Sequence, residues 1–149
     1  MDVDAYRARV EQFIGAIERE YVLHLSGRKT SFDIEPIYDA YADLFTRKVL
    51  EELRESAPRE LFRFAVEGHI GQATKAETAE IAKLEATTAV EVDGAEIPFR
   101  RTNVEQANES DPERRARLEE ARLRVVDAEL NPLYTRAHER AAAIARELG

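Results

Sequence analysis

The side chains able to ligate a metal or move a proton are His24, His69 and His138, set among 30 acidic residues with no cysteine. Lack of cysteine removes thiolate metal sites, disulfide scaffolds and cysteine nucleophiles. No histidine stands three residues after a glutamate, the pair that carboxylate-bridged di-iron bundles require. His138-Glu139 opens like the zinc-peptidase pattern His-Glu-x-x-His, but Ala142 occupies the second ligand position. Glu20 and His24 lie four apart and share a helix face, where a simple hydrogen bond accounts for them as well as a metal does. Ser26, Ser31, Ser56 and Ser110 fall at expected helix ends or in loops, the ordinary place of a capping serine, and none sits in a Gly-x-Ser-x-Gly elbow. Six scattered glycines supply neither a Walker loop nor Gly-x-Gly-x-x-Gly. The residues thus single out no catalytic group, no metal ligand set and no cofactor site; the chain in isolation is not expected to be an enzyme, and an enzyme reading with a carboxylate-rich pocket stays open without a supporting motif.

Arg114, Arg115, Arg117, Arg122 and Arg124 form the densest cationic cluster and the best candidate contact for an anion or RNA. Yet Glu113–Arg117, Arg115–Glu119 and Glu120–Arg124 are each four apart and opposite in sign, the spacing of helix-surface ion pairs. A salt-bridged, solvated face is the expectation. Over the whole chain 22 basic residues face 30 acidic ones, a net charge of −8. That balance disfavours nucleic acid and anionic membrane as partners. No apolar run approaches the roughly 20 residues needed to span a bilayer, and the first residues lack the apolar stretch of a secretion signal. A cytoplasmic setting follows as an expectation.

The elements that must position these residues are mostly helices. Val3, Tyr6, Val10, Phe13, Ile14, Ile17, Tyr21 and Leu25 recur at steps of three and four, which predicts a helix over the first 26 residues, capped by Asp2 and ended at Gly27. A second helix is predicted from about Asp33, with Pro36 in its first turn and a stripe from Ile37 to Leu53, ended by Ser56-Ala57-Pro58. The segment 61–66 is apolar around most of its circumference and should be buried on two sides. Gly68 and Gly71 either admit a close neighbour or mark a break, and Thr74-Lys-Ala-Glu77 has capping-box spacing, so a helix ends near Thr88 that is separate from the previous segment or continuous with it. Alternation around Asp93-Gly94 predicts a hairpin over about residues 90–99, with Val90, Val92, Ala95, Ile97 and Phe99 on one face and Glu91 opposite Glu96. It reads as a peripheral insert resting on the helices. Asp111-Pro112-Glu113 opens a last helix, which Asn131-Pro132 should kink or break. The fold class is mainly α: a bundle of four to five long helices with one small hairpin, forming a single domain over 1–149.

Certain stretches resemble the N-terminal helical region of oligoendopeptidase F and thimet-like zinc metallopeptidases. They are Glu18-Arg-Glu-Tyr21 with His24-Leu-Ser-Gly27, Ile37 to Phe45, Val90 to Pro98, and above all Ala107-Asn-Glu109-Ser-Asp111 followed by Arg114-Arg115. The resemblance implies helices that form one wall of a peptide channel facing a C-terminal catalytic domain. The family's zinc motif is absent, so no catalytic residue transfers to any position of this sequence. A non-catalytic wall of such a peptidase is one expectation, and a self-contained helical interaction or dimerisation module is the other.

For partners, these readings imply a second copy of the chain or the missing catalytic domain, and peptides. The candidate interface is the last helix, whose Leu118, Val125, Leu133, Ile144 and Leu148 are expected to exceed what a core of three or four preceding helices can cover.

Overall fold

Asp2 caps the first helix as its position predicts, its carboxylate accepting from the backbone N–H groups of Asp4 and Ala5. The structure, a computed structural model, describes residues 1–149, Ser56 by its backbone alone, so a capping role for Ser56 lies outside the described side chains. Helix α1 (Val3–Leu25) buries Tyr6, Val10, Phe13, Glu20 and His24, with Ile17 half-buried between them, and Gly27 follows with a φ of +73°. Its inward stripe therefore repeats at steps of four and three and ends in two polar residues. Ile14, Tyr21 and Leu25, expected on the core stripe, are exposed.

The second helix is divided. Helix α2 (Ile34–Ala40) gives way to a 3-10 turn over Ala42–Phe45, and α3 (Arg47–Ser56) starts afresh with Thr46 as its cap. The tighter turn sends Leu44 and Phe45 inward together, and the Thr46 hydroxyl accepts from Val49 N–H, so a single helix stripe is not what packs here. Helix α4 (Arg59–Thr87) runs unbroken past both glycines. A side chain on Gly68 would overlap the Phe45 ring, and one on Gly71 would overlap the Tyr38 phenol. Of the two roles open to these glycines, close approach is the one observed. Thr74 and Glu77 lie inside α4 rather than at a cap: the Thr74 hydroxyl donates to Ile70 O and Glu77 pairs with Arg140 at 3.2 Å.

Strands β1 (Ala89–Val92) and β2 (Ala95–Pro98) pair antiparallel, Val90 against Ile97 and Glu91 against Glu96. Asp93 and Gly94 both have positive φ, at 56° and 77°, as the two-residue turn demands. Ala95 is exposed, but Val90, Val92, Ile97 and Phe99 supply four of the nine buried residues of one core. The hairpin is thus no peripheral insert. After a 3-10 turn over Phe99–Arg101 comes a short helix absent from the sequence expectation, α5 (Thr102–Asn108). Helix α6 (Pro112–Val125) then leads through a π turn over Val126–Leu130 into α7 (Asn131–Leu148). Pro132 has no N–H to donate, and of the kink or break expected there the chain shows no break: a widened turn before the proline keeps the rod helical.

Two cores result. The N-terminal one gathers α1, the Ala42–Phe45 turn, α3 and the start of α4, and the C-terminal one gathers the hairpin, α6, the π turn and α7 around Ile81. Helices α4 and α7 pack on each other and reach both, α7 from Leu133 in the C-terminal core to Leu148 against the N-terminal core.

Candidate functional site

At the seam between the cores, three helix faces converge on a cleft of about 370 Å³. Helix α1 contributes Tyr21, His24 and Leu25, α4 contributes Thr78, Ile81, Ala82 and Glu85, and α7 contributes Tyr134, Ala137 and His138. Each set follows the three- and four-residue spacing of one helix face. Phe32 closes the floor from the loop after α1, and Arg100 enters from the turn after the hairpin.

A polar relay positions this site. Buried Glu20, 7% exposed, accepts from Lys29 Nζ on both oxygens at 2.8 Å and from Asp33 N–H at 2.7 Å. Lys29 also pairs with Asp33 at 2.7 Å. These bonds raise the Lys29 ammonium above its ordinary range, the bond to Asp33 first, and the Lys29 bond lowers the Asp33 carboxyl. The loop is thereby folded back onto α1, with Phe32 buried edge-on to Tyr21 (ring centroids 4.8 Å apart) and beside His24. His24, 2% exposed, bonds through Nδ1 to Ser31 O at 3.1 Å. A carbonyl only accepts, so Nδ1 carries the proton and Nε2 is the acceptor. That acceptor takes a bond from Arg100 Nη2, which also donates to Ala82 O at 3.3 Å.

On the opposite wall, burial and then the neighbouring Glu85 carboxylate raise the Tyr134 phenol above its ordinary value. His138 stacks on Tyr134, ring centroids 6.4 Å apart. The rim is apolar and open to solvent: Leu25 is 70% exposed, Tyr21 45% and Tyr134 40%. The arrangement sets apolar surface beside the guanidinium of Arg100 and the carboxylate of Glu85. Ser31 meets His24 through its carbonyl, while its hydroxyl donates to Asp33 at 3.3 Å. A larger concavity of about 690 Å³ lies along the 112–130 rod, but all its lining residues belong to that rod, and it lacks convergent polar groups from other elements.

Among the described residues no three histidine, aspartate or glutamate side chains gather to hold a metal ion, and no helix is long and apolar enough to cross a membrane. Glu20 and His24 do share a face, but each is engaged with the loop rather than with the other. Of the predicted interface residues, Leu118 and Leu133 are buried in the C-terminal core, Val125 packs half-buried against it, Leu148 packs half-buried against the N-terminal core, and Ile144 is half-buried. The hairpin and Ile81 of α4 thus cover Leu118 and Leu133, whereas Val125, Ile144 and Leu148 stay partly exposed. Of the three expected helix pairs, Glu120–Arg124 is the one seen among the described residues, at 3.8 Å. Arg117 instead grips Asp93 in the hairpin turn at 2.8 and 3.1 Å, Arg114 pairs with Glu109 and Asp93, and Arg115 donates to Glu109 O.

The sequence reading missed Phe32, Thr78, Ala82, Glu85, Arg100 and Tyr134. The available signal was the phase of α1: Tyr21 and Leu25 fall off the repeat that runs 6, 10, 13, 17, 20, 24. The chain matches no family model, no curated protein and no solved structure.

Proposed function

We propose that the chain is a non-catalytic recognition domain, a helical wall whose seam cleft receives an apolar side chain of a peptide. The observation that carries the reading is the coincidence of exposed Leu25, Tyr21 and Tyr134 with a concave site that polar groups also line. Apolar side chains gathered around such a site are what interaction surfaces present. Peptide is the occupant favoured by the resemblance to the N-terminal helices of oligoendopeptidase-like enzymes, whose role is to wall a peptide channel. The surface of 9148 Å² exceeds the roughly 7,700 Å² typical of a monomer of 16.9 kDa, which suits a domain that presents a wall. The lack of cysteine suits a cytoplasmic setting.

The test is titration of the chain with a fluorescein-labelled apolar peptide, alongside Tyr134→Ala and Leu25→Asp. Each variant should weaken binding at least about fivefold, the effect of losing one interface anchor. Binding untouched by both, or no binding, contradicts the reading. Sedimentation of the same samples separates the competing occupant: self-association abolished by Leu25→Asp assigns the surface to a second copy of the chain.

A further inference from the structure

Resting on that reading of the cleft, we propose that Arg100 binds the terminal carboxylate of the peptide, so that the site is specific for a C-terminal apolar residue. Arg100 makes no ion pair among the described residues, in a chain whose net charge is −8. What holds its guanidinium is neutral: the His24 Nε2 lone pair and the Ala82 carbonyl. Both engage Nη2, and neither Nη1 nor Nε meets a protein acceptor among the described residues. The relay through Glu20, Lys29 and Ser31 fixes the His24 tautomer that makes this possible, because Nδ1–H is committed to Ser31 O. Arg100 is therefore positioned without being neutralised, and its remaining donors suit the two oxygens of a carboxylate.

The surroundings select among anions. Arg100 is itself exposed, but buried Phe32 and Ile81 and the apolar rim of Tyr21, Leu25 and Tyr134 flank it, so a charged bond made there is shielded from water on the cleft side. Glu85 lies one turn beyond Ala82 on the same face of α4, and its charge opposes a dianion such as phosphate more than a monoanion. A C-terminal residue presents carboxylate and side chain from one Cα, which matches a cation lying next to an apolar pocket. At about 370 Å³ the cleft is near the small end of ligand sites and suits one terminal residue rather than a chain passing through.

The experiment is calorimetric titration of the full chain with three N-acetylated pentapeptides of one apolar sequence: one ending in leucine with a free carboxylate, the same peptide as the carboxamide, and a carboxamide with glutamate last. The free acid should bind about tenfold to a hundredfold more tightly than its amide, and the glutamate amide should bind no better than the leucine amide. Arg100→Gln should abolish the preference and Arg100→Lys should retain part of it, with thermal unfolding of both variants near that of the native chain. Equal binding of acid and amide overturns the inference and leaves the cleft as a peptide site, whereas binding of neither overturns both. A glutamate amide that binds like the free acid overturns the terminal assignment, and a preference surviving in Arg100→Gln moves the anion to another residue.

Discussion

The N-terminal core is built around interlocked rings and the C-terminal core around branched aliphatic chains. In the first, Phe13 meets Tyr38, Tyr41, Phe45 and Phe64 edge-on at centroid distances of 5.0 to 6.1 Å, and Phe45 fills the notch at Gly68. In the second, Val90, Val92, Ile97, Leu118, Leu130 and Leu133 pack around Ile81 with Phe99 the one buried ring. Rings fixed edge-on against glycine backbone have few alternative positions, whereas aliphatic side chains can change rotamer to absorb a small volume change. Shape is therefore strict in the N-terminal core and tolerant in the C-terminal one. The cleft lies where the two kinds of packing meet and neither covers the surface fully.

The largest expected effects come from emptying either core. Leu53 and Leu118 are 0% and 1% exposed, one in each core. Leu53→Ala and Leu118→Ala should each cost about 3–4 kcal/mol in urea unfolding. If the cores are energetically separate, the double variant should lose the sum within about 0.5 kcal/mol. A clear departure would show one continuous core.

Overpacking should tell the cores apart. Gly68→Ala drives a methyl into the Phe45 ring, which is buried and hemmed by Phe13, Tyr38 and Phe64, and should cost about 2–3 kcal/mol. Val92→Ile adds one methylene to the aliphatic core and should cost about 1 kcal/mol or less. The reverse order of the two unfolding midpoints would refute the contrast. At the hairpin turn, Gly94→Ala places a side chain at a φ of 77° and should cost about 1 kcal/mol. Because the hairpin belongs to a core, that loss should appear as a lower global midpoint. Loosening confined to residues 89–98 in hydrogen exchange would return the hairpin to a peripheral role.

The smallest effect is a pH dependence of the loop latch. The Asp33 carboxyl is lowered below 3.8 in the fold, so its contribution is present above that value and is lost as pH falls through the folded value. The Lys29 ammonium is raised above 10.5, so its contribution is present below that value and is lost as pH rises through the folded value. The stability difference between the native chain and Lys29→Met should stay flat from about pH 5 to about pH 9 and shrink outside. A slope across neutral pH would contradict the latch.

Elements whose ends carry their own chemistry were legible in the sequence. Asp2, Asp111 with Pro112, and Asp93-Gly94 each satisfy local backbone demands, and the structure places a cap or turn at every one. Elements decided by packing were not. The split at Tyr41–Thr46 follows from the need to turn both Leu44 and Phe45 inward, which a helix period cannot express. The cleft was hidden by residue type. Glu20 and His24 occupy inward positions usually held by apolar residues, because loop 26–33 supplies their partners, so Tyr21 and Leu25 were assigned to the core they in fact flank. The arginines of α6 were legible as paired but not as paired with the hairpin, since Asp93 comes near only through the tertiary fold.

The proposed recognition surface is the seam cleft and not the long open face of the 112–130 rod. Proton–nitrogen correlation spectra of the chain, recorded during titration with the free-acid leucine peptide, test it most directly. Saturable shifts should concentrate at Tyr21, Leu25, Phe32, Ile81, Arg100 and Tyr134, the residues that line the cleft. Shifts centred instead on Leu123 and its neighbours along the rod, or none at all, would contradict it.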